Sequence, residues 1–307
     1  MKIILDYYKF INEKESTDKG KVLFISFTDK TRGVSYHDYL KSKLDCTFCL
    51  WTDLIFQENN ILLGNKNVNT FDFIFIGVVS KYPNYFVALE NYIKKYKIPY
   101  FKYGCSPERN NKILQNSLMS LENIPQVPTI ISKCSSVNSK DLIKEFKLPI
   151  VTKITNGSQG KGVELQKTQT DLEKYLKKNK DETIIFQKFI ENEGDYRLFY
   201  IGQNLLYTIR RKSKDNEKEF RNNYSLGGSV EKVDLPKNAT DIAKKAAKVM
   251  GFDVSGVDLI KEKGTDNWYI LEVNSAPQFG TKNGKEVIID YKEVLDKFIE
   301  IINNKIS

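Results

Sequence analysis

Three oxygen-bearing side chains lie near the C-terminal end of the sequence. Glu272 and Asn274 are two residues apart in the stretch LEVNS, and residues two apart on a strand point to the same face. An antiparallel neighbour carrying Asp258 can bring a second carboxylate opposite them. Two carboxylates and an amide oxygen suit a hard cation such as Mg²⁺, and facing acids repel each other without one. Solvated acids at a sheet edge remain the alternative.

A lysine in an apolar strand precedes a glycine-rich segment. Lys153 lies in PIVTKI, where a buried ammonium is costly unless an anion pairs with it. The following loop, NGSQGKG at 156–162, would let backbone N–H groups approach phosphate oxygens. Its letters match neither G-x-x-x-x-G-K-[ST] nor G-x-G-x-x-G. A tight hairpin without a ligand, and a lysine on a half-exposed strand face, therefore stay open.

A third group of side chains is cationic and amide-rich. Arg197 follows Asp195 by two residues, Arg210 and Arg211 end the next predicted strand, and the triplet 221–223 (Arg-Asn-Asn) follows a polar loop. Several guanidiniums near a metal suit phosphoryl transfer, because the protein then mainly positions groups and offsets charge. A basic surface stripe for nucleic acid is the competing interpretation, but the aromatic interleaving typical of base stacking is absent.

Length and composition set outer limits on the protein. The chain has 307 residues, enough for roughly two domains of about 150 residues each. Its longest apolar run, 73–79, is far shorter than the about 20 residues that a membrane-spanning helix needs. The N-terminus lacks the apolar core and the cleavage site of a signal peptide. We therefore expect no membrane association and a cytoplasmic location.

Charge and rare residues exclude several enzyme classes. The formal net charge of +9 favours anionic partners, although many lysines are expected on solvated helix faces. Cys46 and Cys49 form a C-x-x-C, but His37 is the only histidine, which leaves too few ligands for a zinc site. No G-x-S-x-G elbow or H-E-x-x-H motif is present. An enzyme with this inventory works through carboxylates, Lys, Arg and a hard metal ion.

The hydrophobic pattern predicts the elements that must position these side chains. A strand, a helix and a strand follow one another over 71–103, which favours a parallel α/β domain at the N-terminus. Ser106-Pro107-Glu108 is a typical helix start, and the rest of the chain mixes antiparallel strands with helices. We predict strands at 21–27, 71–77, 99–103, 149–155, 163–166, 183–189, 195–201, 204–211, 254–261 and 268–273, and helices at 82–97, 106–121, 138–146, 169–179, 238–250 and 291–303.

Taken together and in order, these residues resemble the ATP-grasp superfamily, and within it the RimK-type amino-acid ligases. The resemblance rests on a spaced set that covers about 107–302. Its parts are Lys153, the hairpin GSQGKGV, the strand end Gln187-Lys188-Phe189-Ile190, Asp195 and Arg197, Arg211, Arg221-Asn222-Asn223, Asp258, and Glu272-Val273-Asn274.

The resemblance implies a role for each position. ATP and two Mg²⁺ (or Mn²⁺) ions are the implied cofactors. The residues implied to contact the phosphates are Lys112 and Lys153, the loop residues Gly157, Ser158, Gln159, Gly160 and Gly162 folded over them, and Arg221, Asn222 and Asn223. The adenine hinge would be formed by Gln187, Lys188 and Phe189, and the ribose would be held by Asp195. The metal ions would be bound by Asp258, Glu272 and Asn274, and the catalytic arginines would be Arg211, with Arg197. The adjacent Arg210 leaves the choice of Arg211 open.

The implied fold is an N-terminal α/β domain, residues 1–106, followed by an α+β ATP-grasp domain, residues 107–307, with a lid subdomain at about 135–190. The implied reaction is an ATP- and Mg²⁺-dependent carboxylate–amine ligation through an acyl phosphate, which joins an amino acid to an amino acid, a peptide or a protein tail. The family often has A-S-P-G after E-V-N, whereas this chain has SAPQ at 275–278. That difference, and the weaker match of residues 1–105, leave the substrate open.

Three alternatives accompany this hypothesis. The chain could form side-chain amide or ester cross-links in a ribosomally made precursor peptide, or it could be a nucleotide-binding module without turnover. Nucleic-acid binding, the third, predicts a steep loss of affinity with salt, and the candidate metal triad argues against it. The expected partner is an amino acid or an acidic peptide or protein tail, and a homo-oligomer is compatible with the sequence.

Overall fold

The computed structural model describes residues 20–27, 35–79, 81–104, 109, 111–155, 162–213, 228–283 and 286–306. These residues form two compact units. The first is built from the chain up to Gly77, from Asn84–Phe101 and from Leu295 onwards, and the second from Val78–Pro83 and Lys102–Val294. Within the described ranges, no helix is both long and apolar enough to cross a membrane.

The elements are numbered in chain order. The helices are α1 (Tyr36–Lys41), α2 (Pro83–Tyr96), α3 (Lys112–Leu121), α4 (Ser139–Phe146), α5 (Gln169–Lys178), α6 (Lys237–Met250) and α7 (Tyr291–Ile306). The strands are β1 (Lys21–Ile25), β2 (Asp45–Cys49), β3 (Leu54–Gln57), β4 (Asn60–Leu63), β5 (Lys66–Asn67), β6 (Phe73–Ile76), β7 (Tyr100–Lys102), β8 (Thr129–Lys133), β9 (Ile150–Ile154), β10 (Val163–Gln166), β11 (Thr183–Lys188), β12 (Asp195–Ile201), β13 (Asn204–Lys212), β14 (Ser229–Lys232), β15 (Val254–Lys261), β16 (Trp268–Asn274), β17 (Thr281–Asn283) and β18 (Glu286–Ile289).

The first unit contains the predicted parallel arrangement. Its parallel sheet has the order β2-β1-β6-β7, and β1 pairs in parallel with both β2 and β6. The C-x-x-C lies on β2, where burial raises the pKa of Cys46 to about 12 and also raises that of Cys49. Thiols that resist ionisation are poor nucleophiles and poor metal ligands. The two cysteines are therefore better interpreted as structural residues of a strand than as a redox or metal-binding pair.

The second unit begins with an antiparallel sheet in the order β10-β9-β11-β8, which we call the lid sheet. Helices α4 and α5 cover one face of it, and their apolar side chains enclose Ile150, Ile184 and Phe186. Because side chains alternate along a strand, the residues between these point to the opposite face. The predicted hairpin is confirmed, since β9 and β10 pair in antiparallel register with Lys153 opposite Val163.

The second sheet of this unit has five strands in the order β14-β13-β12-β15-β16, and we call it the main sheet. One face packs against α6, which buries Ala239, Ala243, Ala246, Ala247 and Met250. Small alanines let the helix approach the strands closely, and Leu198, Val257 and Val273 fill the contact from the sheet side. The other face, which we call the polar face, carries charged side chains beside the buried aromatic residues Phe199 and Tyr207.

One predicted element begins at a different residue. The structure starts α3 at Lys112 rather than at 106, with Asn111 as its N-cap. The Asn111 side chain accepts hydrogen bonds from the N–H groups of Ile113 and Leu114, which satisfies the helix start. The prediction of one helix over 106–121 was therefore wrong, because Asn111 is non-helical and caps a helix that begins after it; residues 105–108 lie outside the described residues.

The close contact between α6 and the main sheet should not tolerate added volume. We expect Ala243→Leu to lower the free energy of unfolding by about 1–3 kcal/mol, because Ala243 has no exposed surface and overpacking forces strained rotamers. Lys244→Leu on the exposed side of the same helix is the matched control and should change stability by less than about 0.5 kcal/mol. Urea unfolding measures both, and equal losses would contradict the packing described here.

Candidate active site

Six of the predicted site residues lie on the polar face of the main sheet. In antiparallel register Asp195 pairs with Arg211, Arg197 with Asp258, and Asp258 with Glu272. Gly256, two residues from Asp258, pairs with Asn274. Directly opposed residues share a face, so these side chains all project from the side that α6 does not cover.

Asp258 is held by two guanidiniums. Its Oδ1 accepts from Nε of Arg197 at 2.6 Å, and its Oδ2 accepts from Nη2 of Arg197 at 2.6 Å and from Nη2 of Arg211 at 3.0 Å. The Asp258 side chain is only 4% exposed. Burial raises the pKa of this carboxyl, but Arg197 and Arg211 outweigh that effect and the net pKa is lowered. Asp258 is therefore anionic at neutral pH.

Arg211 is bound on its other side by Asp195. Nε of Arg211 donates to Oδ1 of Asp195 at 2.6 Å and Nη2 donates to Oδ2 at 2.9 Å. Burial raises the pKa of Asp195 to about 6, although Arg211 acts in the opposite direction. The ribose contact predicted for Asp195 stays a prediction, and in the structure both oxygens of this carboxylate bind Arg211.

The structure separates the two adjacent arginines. Arg210 points to the other face of β13, where its guanidinium lies 5.6 Å from the Tyr196 ring centroid and Nη2 donates to the Glu193 carbonyl at 2.8 Å. Strand alternation thus places Arg211 among the site acids and Arg210 outside them. The choice between the two, which the sequence left open, is made by which face each side chain occupies.

Glu272 and Asn274 complete the candidate metal set. Nδ2 of Asn274 donates to Oε1 of Glu272 at 3.0 Å, which leaves the amide oxygen of Asn274 and Oε2 of Glu272 as donors for a cation. Oδ1 of Asp258 accepts a single hydrogen bond and has capacity for one more partner. Within the described residues no three His, Cys, Asp or Glu side chains form a metal cluster, so the set depends on the amide. This chemistry suits Mg²⁺ or Mn²⁺.

The lid sheet contributes lysine and amide side chains. Lys153 and Gln187 project from the face that α4 and α5 do not cover, as the pairing of Lys153 with Ile185 and of Gln187 with Val151 shows. Burial lowers the pKa of Lys153 to about 8; Glu272 partly offsets this, and Lys112 adds to it. The charges of Lys112 and Glu272 are therefore close enough to Lys153 to act on it. An anion at this place would stabilise both ammonium groups.

The remaining predicted positions have these locations. Lys188 ends β11, with its Nζ 3.6 Å from Oε1 of Glu262, and Phe189 follows it. Gly162 directly precedes β10 and has a φ of +70°, and a Cβ there would meet the Ile154 side chain at 2.5 Å. The loop positions Gly157, Ser158, Gln159 and Gly160, and the triplet Arg221, Asn222 and Asn223, lie outside the described residues.

Sequence reasoning missed a contact beside the metal set. A Cβ at Gly256 would lie 2.6 Å from Cβ of Pro277, so the segment after Asn274 packs directly on β15. The hydroxyl of Tyr103 donates to the Pro277 carbonyl at 2.7 Å, and Gly104 donates to the Ser275 carbonyl at 2.9 Å. The segment that departs from the family pattern therefore forms one wall of the polar face. A glycine two residues before Asp258 was the available signal.

Comparisons with known proteins agree with this geometry. The model of the RimK-like ATP-grasp domain matches residues 109–302. A probable alpha-L-glutamate ligase of Haemophilus influenzae (strain PittEE) is 35% identical over 178 residues, which are 55% of this chain and 58% of the relative. One from Pasteurella multocida (strain Pm70) is 40% identical over 134 residues, 42% of this chain and 41% of the relative. The chain thus spans a little over half, or less, of these curated relatives.

Solved structures show the same fold over a longer stretch. The ATP-grasp ligase PsnB complexed with minimal precursor, Mg, and ADP aligns with a TM-score of 0.68 at 12% identity, covering 96% of this chain and 100% of that chain. The D-alanine–D-alanine ligase from Bacillus anthracis complexed with ATP aligns with a TM-score of 0.61 at 15% identity, covering 94% and 99%. The fold is that of ATP-grasp ligases, which confirms the predicted fold class.

The chain belongs to the RimK-like ATP-grasp family, because the family model matches more than half of its length. The family predicted from the spaced motifs is confirmed. The individual residue roles that the resemblance implied stay predictions.

The ion pairs that Arg211 makes with Asp195 and Asp258 can be tested by substitution. We expect Arg211→Met to lower the free energy of unfolding by about 3–5 kcal/mol, because it leaves Asp195 buried without its partner. Arg210→Met is the matched control and should cost about 1 kcal/mol or less, since Arg210 binds partly exposed acids. Urea unfolding at pH 7 compares the two, and a larger loss for the Arg210 variant would show that the faces are assigned wrongly.

The lowered pKa of Lys153 predicts a dependence of stability on pH. Between about 8 and the ordinary value of 10.5 the unfolded chain binds more protons at this residue, so the native protein gains stability as pH rises. Lys153→Arg stays charged over that range and should lack the gain. Urea unfolding at pH 7.5, 9 and 10 measures the difference between the two proteins, and parallel pH profiles would contradict the buried position of this ammonium.

Proposed function

We propose that this protein is an ATP- and Mg²⁺-dependent carboxylate–amine ligase that works through an acyl phosphate. The observation that carries the proposal is the cross-strand placement of Asp258, Glu272 and Asn274 on one polar face, close to the charge of Lys153. Family membership supports the same chemistry. Such a site needs no enzyme nucleophile, which agrees with a chain whose single histidine, His37, stacks on Phe48 in the first unit.

In the proposed reaction the substrate carboxylate attacks the γ-phosphorus of ATP and ADP leaves. The amine then attacks the acyl carbon and inorganic phosphate leaves, so an amide forms. Asp258, Glu272 and Asn274 would hold Mg²⁺, which neutralises phosphate charge when bound. Lys112 and Lys153 bind phosphate oxygens, and Arg211 offsets the charge of the acyl phosphate. Asp195 keeps Arg211 aimed at that place, because two short hydrogen bonds leave it little rotational freedom.

Arg197 also contacts one of the candidate metal ligands. Its guanidinium occupies both oxygens of Asp258 in the structure, and its Cδ lies 3.4 Å from a Cβ built on Gly256. Arg197 therefore contacts one candidate metal ligand and lies beside Gly256, on which Pro277 packs. From there it can bind an anionic substrate group, and this supports its predicted part in the reaction.

The substrate proposal follows from the relatives and from charge. The curated relatives are called probable alpha-L-glutamate ligases, so we propose glutamate as the first amine to test. The net charge of +9 favours an acidic peptide or protein tail as the acid component. The proposed product is an amide between an amino acid and an amino acid, peptide or protein tail.

A second candidate is a ligase that cross-links side chains of a ribosomally made precursor peptide. The observation that favours it is the segment at 275–278, which departs from the pattern expected of the family and forms a wall of the polar face. PsnB, which was solved with its precursor, shares the fold over nearly the whole chain, as the D-alanine–D-alanine ligase does.

The test is a screen of ATP consumption. ADP release is measured with Mg²⁺ and with candidate acids and amines, including glutamate with acidic peptides, and products are identified by mass. A gain of one glutamyl mass supports the first candidate. A loss of water from a single peptide supports the second, and nucleotide binding without ADP release under every condition would reject both.

The same assay tests the metal set. Glu272→Gln should lower the rate of ADP formation by more than about a hundredfold, because it removes a charge that holds the cation, while leaving the unfolding curve unchanged. Asp266→Asn, on the exposed turn between β15 and β16, is the matched control and should keep the native rate. Near-native turnover by the Glu272 variant would reject the metal assignment.

A further inference from the structure

A buried glutamine lies against the strand that carries two of the candidate metal ligands. Gln115 is in the first turns of α3 and is 5% exposed. β16 is the last strand of the main sheet, so the outer edge of β16 has no strand partner within that sheet. Val273, on this strand, lies between Glu272 and Asn274 in the chain.

The side-chain amide of Gln115 binds both backbone groups of Val273. Nε2 donates to the Val273 carbonyl at 2.9 Å, and Oε1 accepts from the Val273 N–H at 3.1 Å. Nε2 also donates to the Arg109 carbonyl at 3.0 Å. An amide has two N–H donors and a carbonyl acceptor, so Gln115 binds Val273 at the outer edge of β16 as a residue of a neighbouring strand would, three residues beyond the bridge between Gln126 and Ile270.

This contact fixes how the two ligands are presented. The Val273 side chain is 1% exposed and packs in the core beneath the sheet, so the side chains of Glu272 and Asn274 must point the other way. An edge strand held on one side only can twist or slip. With Gln115 on the outer side, the peptide groups around both ligands are held from two directions.

Gln115 also links β16 to α3, the helix that begins with Lys112. Lys112 is one turn before Gln115 in α3, and residues three apart lie on neighbouring positions of a helix surface. The charge of Lys112 acts on Lys153. Arg109 anchors the chain just before α3, because Nη1 donates to the Met250 carbonyl at 2.7 Å. Movement of Gln115 would therefore displace a candidate phosphate contact and two candidate metal ligands together.

We propose that Gln115 is a positioning residue that sets the affinity of the site for its divalent cation by holding β16 against α3. The inference rests on the proposed function for the identity of the site. Gln115 is not expected to touch the cation or the nucleotide. Residues that orient metal ligands typically contribute about tenfold to a hundredfold in metal affinity.

The test measures binding of Mn²⁺ in the presence of ADP, with free Mn²⁺ followed by electron paramagnetic resonance. Gln115→Leu removes the three hydrogen bonds and keeps most of the volume, and it should weaken Mn²⁺ binding by about tenfold or more. Gln126→Leu is the matched control. Gln126 binds Asn116 and Ser120 on the same helix, so its loss disturbs α3 without freeing Val273, and Mn²⁺ affinity should stay within about threefold of native.

A second variant keeps the proposal testable if Gln115→Leu does not fold. In Gln115→Glu the introduced carboxyl, when protonated, can donate to the Val273 carbonyl and accept from its N–H, whereas the ionised form can only accept. The deficit in Mn²⁺ affinity relative to the native protein at the same pH should therefore shrink as pH is lowered from about 8 to about 6. A structural role alone predicts no such recovery.

The outcomes separate this inference from the proposed function. Native Mn²⁺ affinity in Gln115→Leu, or a deficit in Gln115→Glu that does not change with pH, would overturn the role of Gln115. Mn²⁺ and ADP binding by the native protein without ligation would reject the ligase proposal and leave the affinity test valid. A native protein that binds no Mn²⁺ with ADP would overturn the metal site and this inference together.

Discussion

The polar face of the main sheet depends on the neutralisation of buried charge. Asp195, Arg211 and Asp258 are buried and Arg197 is partly buried, and a charge in such a place costs several kcal/mol unless it is paired. The four groups form a chain in which each carboxylate binds a guanidinium in a two-point arrangement and Arg211 binds both. Removing Arg211 leaves Asp195 without its ion-pair partner, and removing Asp258 does the same to Arg197, so the network acts as a unit.

The network is possible because the helices of the second unit pack on one face of the lid sheet and on one face of the main sheet. Helices α4 and α5 cover the lid sheet, and α6 covers the main sheet. Apolar side chains at alternate positions therefore account for the packing, and the intervening positions are free to carry charge. The sheets supply rigidity for the site, while the helices supply the buried apolar surface that keeps the sheets formed.

The segment at 275–278, which departs from the pattern expected of the family, lies beside the candidate site. Pro277 packs against Gly256, and Tyr103 and Gly104 hold the segment after Asn274 by hydrogen bonds to its carbonyl groups. Under the proposed function, a wall held by backbone contacts can change with the substrate, whereas the acids beside it are constrained because they would hold the cation.

Much of the site follows from alternation along the chain. The grouping of Glu272 with Asn274 needs only the two-residue period of a strand, and the spaced motifs identified the family. Other features required the tertiary structure. Nothing local distinguishes Arg210 from Arg211 until the face of β13 is known, and Gln115 contacts a strand more than a hundred residues away. The structure also decides that α3 begins at Lys112, directly after the Asn111 cap. Periodicity along the chain determines which residues share a face, whereas contacts between distant segments decide which face becomes a site.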